Sequence, residues 1–131
     1  MPSKILIVED EILIALEAEA VIRDLGHHPV GIAATSDEAL ALAAEHEPDI
    51  ALIDVNLADG PTGPDVGADL AKRGVAVVFV TANPRLVPRQ TNAIGVLDKP
   101  ADEADLAALL AYVTSLAGGA PGNPPARLRA L

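Results

Sequence analysis

Lys4-Ile5-Leu6-Ile7-Val8-Glu9-Asp10 is a short apolar run that stops at two carboxylates. A continuous apolar run of this length suits a parallel strand covered on both faces. The arrangement returns three times: Ile50 to Ile53 stops at Asp54, Val75 to Val80 at Thr81, and Val96-Leu97 precede Asp98 and Lys99. In a parallel α/β sheet every strand points the same way, so residues just past the strand ends gather in one crevice, where such folds bind their ligands. Glu9, Asp10, Asp54, the Thr81 hydroxyl and the Lys99 ammonium are therefore expected to converge.

Between these runs the pattern is helical. From Glu11 to Leu25, Ile12, Ala15, Leu16, Ala20 and Ile22 recur at three- and four-residue steps, which predicts an amphipathic helix along that stripe, with Gly26 where a left-handed cap is wanted. Val30 to Ala33 reads as a second strand, and Thr35 with Glu38 forms a capping box for a helix running towards Glu45. After Asp54 a loop rich in turn formers, including Asp59-Gly60, leads to a helix from about Pro64 to Lys72. Val75 to Thr81, with five Val or Thr among seven residues, predicts a central strand. Pro84 and Pro88 restrict any helix between Asn83 and Asn92 to a short one. Gly95 to Leu97 is a last strand, and Asp102 to Leu116 a closing helix with Leu106, Leu109, Leu110 and Val113 on one face. The Gly- and Pro-rich stretch after Ala117 buries too little surface to offset its ordering entropy, so residues 118–131 are expected to be a flexible tail carrying Arg127 and Arg129.

Five strands alternating with helical segments predict an α/β doubly wound parallel sheet, because parallel neighbours need crossover helices. The expected order is 2-1-3-4-5, with its topological switch between the strands that end at Glu9-Asp10 and at Asp54. At 131 residues the chain fits one domain, residues 1–117, plus the tail. Half of its residues are hydrophobic and only 2% aromatic, so the core must be aliphatic. A net charge of -10 repels phosphate backbones and argues against direct nucleic-acid binding. Cys is absent, which fits a reducing compartment, and the apolar run broken at Glu9 is too short for a signal or membrane segment. The cytoplasm is the expected location, without membrane contact.

Crowded carboxylates repel unless a cation sits among them, and hard oxygen ligands favour Mg²⁺. An Asp held ionised by a nearby cation can attack phosphorus. Charge then spreads over three equatorial oxygens, which Mg²⁺, the Lys99 ammonium and the Thr81 hydroxyl can each meet. An isolated Asp after a strand is usually a turn residue or helix cap, and an isolated Lys-Pro usually starts a helix. Their occurrence together, in this order, reverses that weighting.

Over Lys4 to about Leu116 the chain resembles the response-regulator receiver domains of two-component signalling, which have the flavodoxin-like fold. The motifs are the acidic pair Glu9-Asp10, Leu52-Ile53-Asp54-Val55-Asn56, Val80-Thr81-Ala82 and Asp98-Lys99-Pro100. The resemblance implies that Asp54 is the phosphoacceptor, Thr81 the switch hydroxyl and Lys99 the phosphate-pairing cation, with a cis Lys99-Pro100 peptide. It implies Mg²⁺ held by Glu9 (through water), Asp10, Asp54 and the Asn56 carbonyl. The donor would be a sensor histidine kinase or a histidine phosphotransfer protein, and output would be binding to a target protein. A phosphoryl shuttle, a phosphoryl sink and a homodimer through the last helix stay open. Because nothing after Leu116 predicts an effector domain, a stand-alone receiver is expected.

Two departures and two competing classes matter. Receiver domains commonly carry an aromatic three residues before the site lysine; here the position is Val96, so the segment from Pro84 to Gln90 is the expected moving element. Asn56 and Asn83, at the positions that tune hydrolysis in the family, are neither acids nor bases, which predicts slow or moderate self-dephosphorylation. A phosphatase with an aspartyl-phosphate intermediate needs a second Asp two residues after the nucleophile, where Asn56 stands. A flavin-binding module needs hydroxyls and glycines after the first strand, where Glu9-Asp10-Glu11 stands instead.

Overall fold

The computed structural model describes residues 2–88, 92–119 and 122–130. The chain runs β1 (Lys4–Val8), α1 (Ile12–Asp24), β2 (His28–Ala33), α2 (Ser36–His46), β3 (Ile50–Ile53), α3 (Gly63–Lys72), β4 (Ala76–Thr81), a 3₁₀ turn (Pro84–Leu86), β5 (Gly95–Asp98), α4 (Glu103–Ala117) and β6 (Leu128–Ala130). The sheet order is β2-β1-β3-β4-β5-β6, with the first five strands parallel as the apolar runs predict. No helix among the described residues is long and apolar enough to cross a membrane.

Successive strand side chains alternate between the two faces. Leu6, Val8, Ala51, Ile53, Val77 and Phe79 pack on one side with Val66 and Leu70 of α3. On the other, Ile5, Ile7, Leu52, Val78 and Leu97 pack with Leu106, Leu109, Leu110 and Val113 of α4, the face expected from its spacing. Each such aliphatic side chain contributes about 1.5–3 kcal/mol by leaving water.

The stripe expected along α1 is only partly the buried one, since it holds the buried Ala15 and Ile22 together with the exposed Ile12, Leu16 and Ala20. Ala15, Ala18, Val21 and Ile22 face the sheet, while Ile12, Leu13 and Leu16 are 58%, 73% and 46% exposed and Ala20 is exposed. At about 100° per residue the two sets lie on opposite sides of the helix, and both are apolar. Periodicity alone could not choose between them; the sheet takes the side whose small Ala15 and Ala18 allow close approach.

As Pro84 and Pro88 predict, the described residues of the segment after β4 hold a short 3₁₀ turn, while Arg89 and Gln90 of the expected moving element lie outside the described residues. One further expectation changes. The expected flexible tail instead supplies β6, which pairs antiparallel with β5 (Gly95 with Ala130, Val96 with Arg129, Leu97 with Leu128). Leu128 to Ala130, past the Gly- and Pro-rich residues, pair there because an open sheet edge offers them backbone partners.

Candidate functional site

Register places the site. Val8 pairs with Ile53 and Thr81 with Asp98, so Glu9 and Asp54 emerge side by side, and Lys99 one residue beyond Thr81. Backbone hydrogen bonds continue past the strand ends: Asp54 N–H to Val8 O (2.9 Å), Glu9 N–H to Ala33 O (2.8 Å) and Lys99 N–H to Thr81 O (3.0 Å). These fix the peptides from which the side chains project. The start of α3 is pressed against Asp54 as well; a Cβ on Gly63 would fall 1.9 Å from the Asp54 carbonyl oxygen, so only glycine fits.

Lys99 Nζ donates to Asp54 Oδ2 at 2.7 Å and also to Glu9 Oε1. The remaining carboxylate oxygens are partly met: Val55 N–H donates to Asp54 Oδ1 (2.7 Å) and Glu11 N–H to Glu9 Oε2 (3.2 Å). Glu9 is 5% and Asp54 9% exposed, whereas Asp10 is exposed. One oxygen from each of Glu9, Asp10 and Asp54 lies within 4.8 Å of the others. A cavity of about 350 Å³ leads from Glu9, Asp54 and Lys99 between α1 and α4, past Ile14, Ala18, Pro100 and Leu106.

Burial pushes the Glu9 carboxyl above the ordinary glutamate range, against the hydrogen bonds from Lys99 and Glu11 that favour its ionised form. Burial also disfavours the Lys99 ammonium, but the hydrogen bonds and charges of Asp54 and Glu9 together outweigh it and raise its pKa, so Lys99 stays charged. Three carboxylates face one ammonium, an excess of negative charge that suits a divalent cation bound through oxygen.

Thr81 ends β4 fully buried, and its hydroxyl accepts a hydrogen bond from Asn83 N–H at 3.0 Å. Asn56 and Asn83 are exposed beside the site, and the Lys99-Pro100 peptide is cis. The structure thus joins Glu9, Asp10, Asp54 and Lys99 through their side chains and brings in Thr81 through its backbone bond to Lys99.

Two aspartates have roles that sequence reasoning missed. Asp59, read as a turn residue, accepts from Ser36 N–H, Ser36 Oγ and Thr62 Oγ1, and so ties the first residue of α2 to the loop before α3. The Ser36 and Thr62 hydroxyls hold its carboxyl below the usual aspartate range. Asp98, next to the lysine in the chain, is half-buried and meets Arg129 at 2.8 Å. Neither pairing has a local signal, because the partners of Asp98 and Ser36 lie 31 and 23 residues away.

Residues 5–111 match the model of the response regulator receiver domain. The chain belongs to that family. It is similar to the phyllosphere-induced regulator PhyR of Methylorubrum extorquens, 40% identical over 114 residues that make up 84% of this chain and 43% of the relative. The receiver (REC) domain of the Erythrobacter litoralis PhyR response regulator superposes with a TM-score of 0.76 at 33% identity, covering 95% of this chain and 96% of that one. The anti-anti-sigma factor PhyR from Bartonella quintana gives a TM-score of 0.78 at 31% identity over 92% of this chain and 50% of that one. The chain spans about half the length of the curated relatives it matches.

Proposed function

We propose that this receiver takes a phosphoryl group onto Asp54 from the phosphohistidine of a sensor kinase or phosphotransfer protein. A carboxylate oxygen of Asp54 forms the new P–O bond as the P–N bond breaks, and the electron pair leaves with the donor imidazole. The observation that carries this reading is the Lys99 ammonium held against both Asp54 and Glu9 with Asp10 alongside. Lys99 holds the Asp54 carboxylate through a 2.7 Å hydrogen bond and then meets one phosphoryl oxygen. Thr81, whose hydroxyl accepts from Asn83 N–H before transfer, can turn to donate its O–H to a second. Glu9 through water, Asp10, Asp54 and the Asn56 carbonyl are suited to hold Mg²⁺, which would neutralise charge on the transferring group.

As a regulatory receiver it catalyses only its own phosphorylation and dephosphorylation, and its output is protein contact. The Bartonella relative forms a complex with the anti-sigma factor NepR, which supports a protein target of that kind. Exposed Ile12, Leu13 and Leu16 begin one turn after Glu9-Asp10, which supports docking of the histidine-bearing donor on α1. The test is intact mass after incubation with acetyl phosphate and Mg²⁺: one phosphoryl adduct on the natural chain and none on Asp54→Asn. An equal adduct on both would overturn the reading.

A further inference from the structure

We propose that Arg127, from the stretch that leads into β6, positions Lys99 by gripping the backbone on both sides of it. The inference rests on Lys99 being the cation that meets the phosphoryl group, and it concerns residues beyond the 5–111 matched by the family model. The Arg127 guanidinium donates through Nη2 to the Asp98 carbonyl and through Nη1 to the Pro100 carbonyl, each at 2.9 Å. Those two carbonyls flank Lys99. A guanidinium is a rigid planar fork, so two acceptors bound to one fork are held at a fixed spacing. The peptide that aims Lys99 is held with them.

The grip extends in both directions. Arg127 Nη1 also reaches the Asp105 carboxylate, which closes the capping box at the start of α4. One side chain thereby links the end of β5, the turn at Lys99 and the first turn of α4. Arg129 adds a second hold, Nη2 to Asp98 Oδ2 at 2.8 Å, while Asp98 Oδ1 is buried with no partner among the described residues. The edge of β5 is shaped to receive this segment, since a Cβ on Gly95 would fall 2.5 Å from the Arg129 carbonyl oxygen.

The arginine side chains are 42% and 65% exposed, so their ion pairs add little to global stability. Their effect is on geometry: Lys99 must place one ammonium against two carboxylates, and a displaced base moves it off that point.

The test uses the full chain with Arg127→Ala and Arg127→Lys. The readouts are the urea midpoint, the Lys99 side-chain ammonium signal by ¹⁵N NMR, and the rate of adduct formation from acetyl phosphate with Mg²⁺. Arg127→Ala is expected to keep its midpoint, shift and broaden the Lys99 signal, and form the adduct roughly tenfold more slowly. Arg127→Lys should show the same defects, because a point-charge ammonium cannot bridge two carbonyls at fixed spacing. A natural Lys99 signal and rate in Arg127→Ala would overturn the inference, as would full rescue by lysine. If Arg127→Ala fails to fold, Arg127→Lys decides. If the natural chain takes no phosphoryl group, the phosphoacceptor reading fails, and the Lys99 signal alone judges the positioning.

Discussion

Lys99 Nζ lies 2.7 Å from Asp54 Oδ2 while also bonding Glu9, so one ammonium compensates two nearly buried carboxylates. Removing it leaves both uncompensated, which costs more than the pair contributes by being present. Lys99→Met is expected to lose about 3 kcal/mol of stability without divalent cations, read as a lower urea midpoint. Added Mg²⁺ should recover part of the loss; a variant as stable as the natural chain would count against the pairing.

Thr81 and Asn83 form a second linked pair. If the Thr81 side chain turns towards a phosphoryl oxygen, the 3.0 Å bond from Asn83 N–H breaks and frees the backbone entering the 3₁₀ turn. With Val96 in place of an aromatic ring, this is the expected route of the switch. Amide exchange at Asn83 to Val87 should speed up on binding beryllofluoride, and the change should vanish in Thr81→Ala. Equal exchange with and without the mimic would refute it.

Asn56 and Asn83 flank the site as exposed amides, neither of them an acid or base able to activate water. The acyl phosphate is expected to last minutes rather than seconds after removal of donor, followed by intact mass. Asn56→Glu or Asn83→Glu should change that lifetime without preventing phosphorylation.

If the donor docks on the exposed apolar patch of α1, a substitution there separates docking from chemistry. Leu13, 73% exposed, contributes nothing to the core, so Leu13→Lys should leave the urea midpoint within about 0.5 kcal/mol of the natural chain. It is expected to slow transfer from a phosphohistidine protein while leaving labelling by acetyl phosphate unchanged. Equal slowing with both donors would place the effect in the site itself.

Asp59 predicts a pH dependence. Its carboxyl titrates below the ordinary 3.8 in the folded protein, so the stability it adds is present above the unfolded value and disappears as pH falls through the lower folded one. The urea midpoint of Asp59→Asn should lie below that of the natural chain at neutral pH, with the gap closing as the solution is made more acid than the ordinary aspartate value. A gap that widens in acid would show that the Ser36 and Thr62 hydroxyls do not favour the ionised form.

Sequence by itself determined the parallel sheet, its order and the convergence of Glu9, Asp10, Asp54 and Lys99. Apolar runs that stop at polar residues state strand direction and strand end together, and direction suffices to bring the ends into one crevice. It also marked the buried face of α4, where only one stripe is leucine-rich. Tertiary structure alone decided which side of α1 faces inward, because that helix is apolar on two opposite sides and only contact with the sheet chooses the one bearing Ala15 and Ala18. It alone paired Asp59 with Ser36, and Asp98 with Arg129, and set Leu128 to Ala130 against β5 as β6. The physical reason is common to these cases: local pattern records what a segment can bury or bond, whereas the partner that completes it arrives from a distant part of the chain only once the sheet has formed.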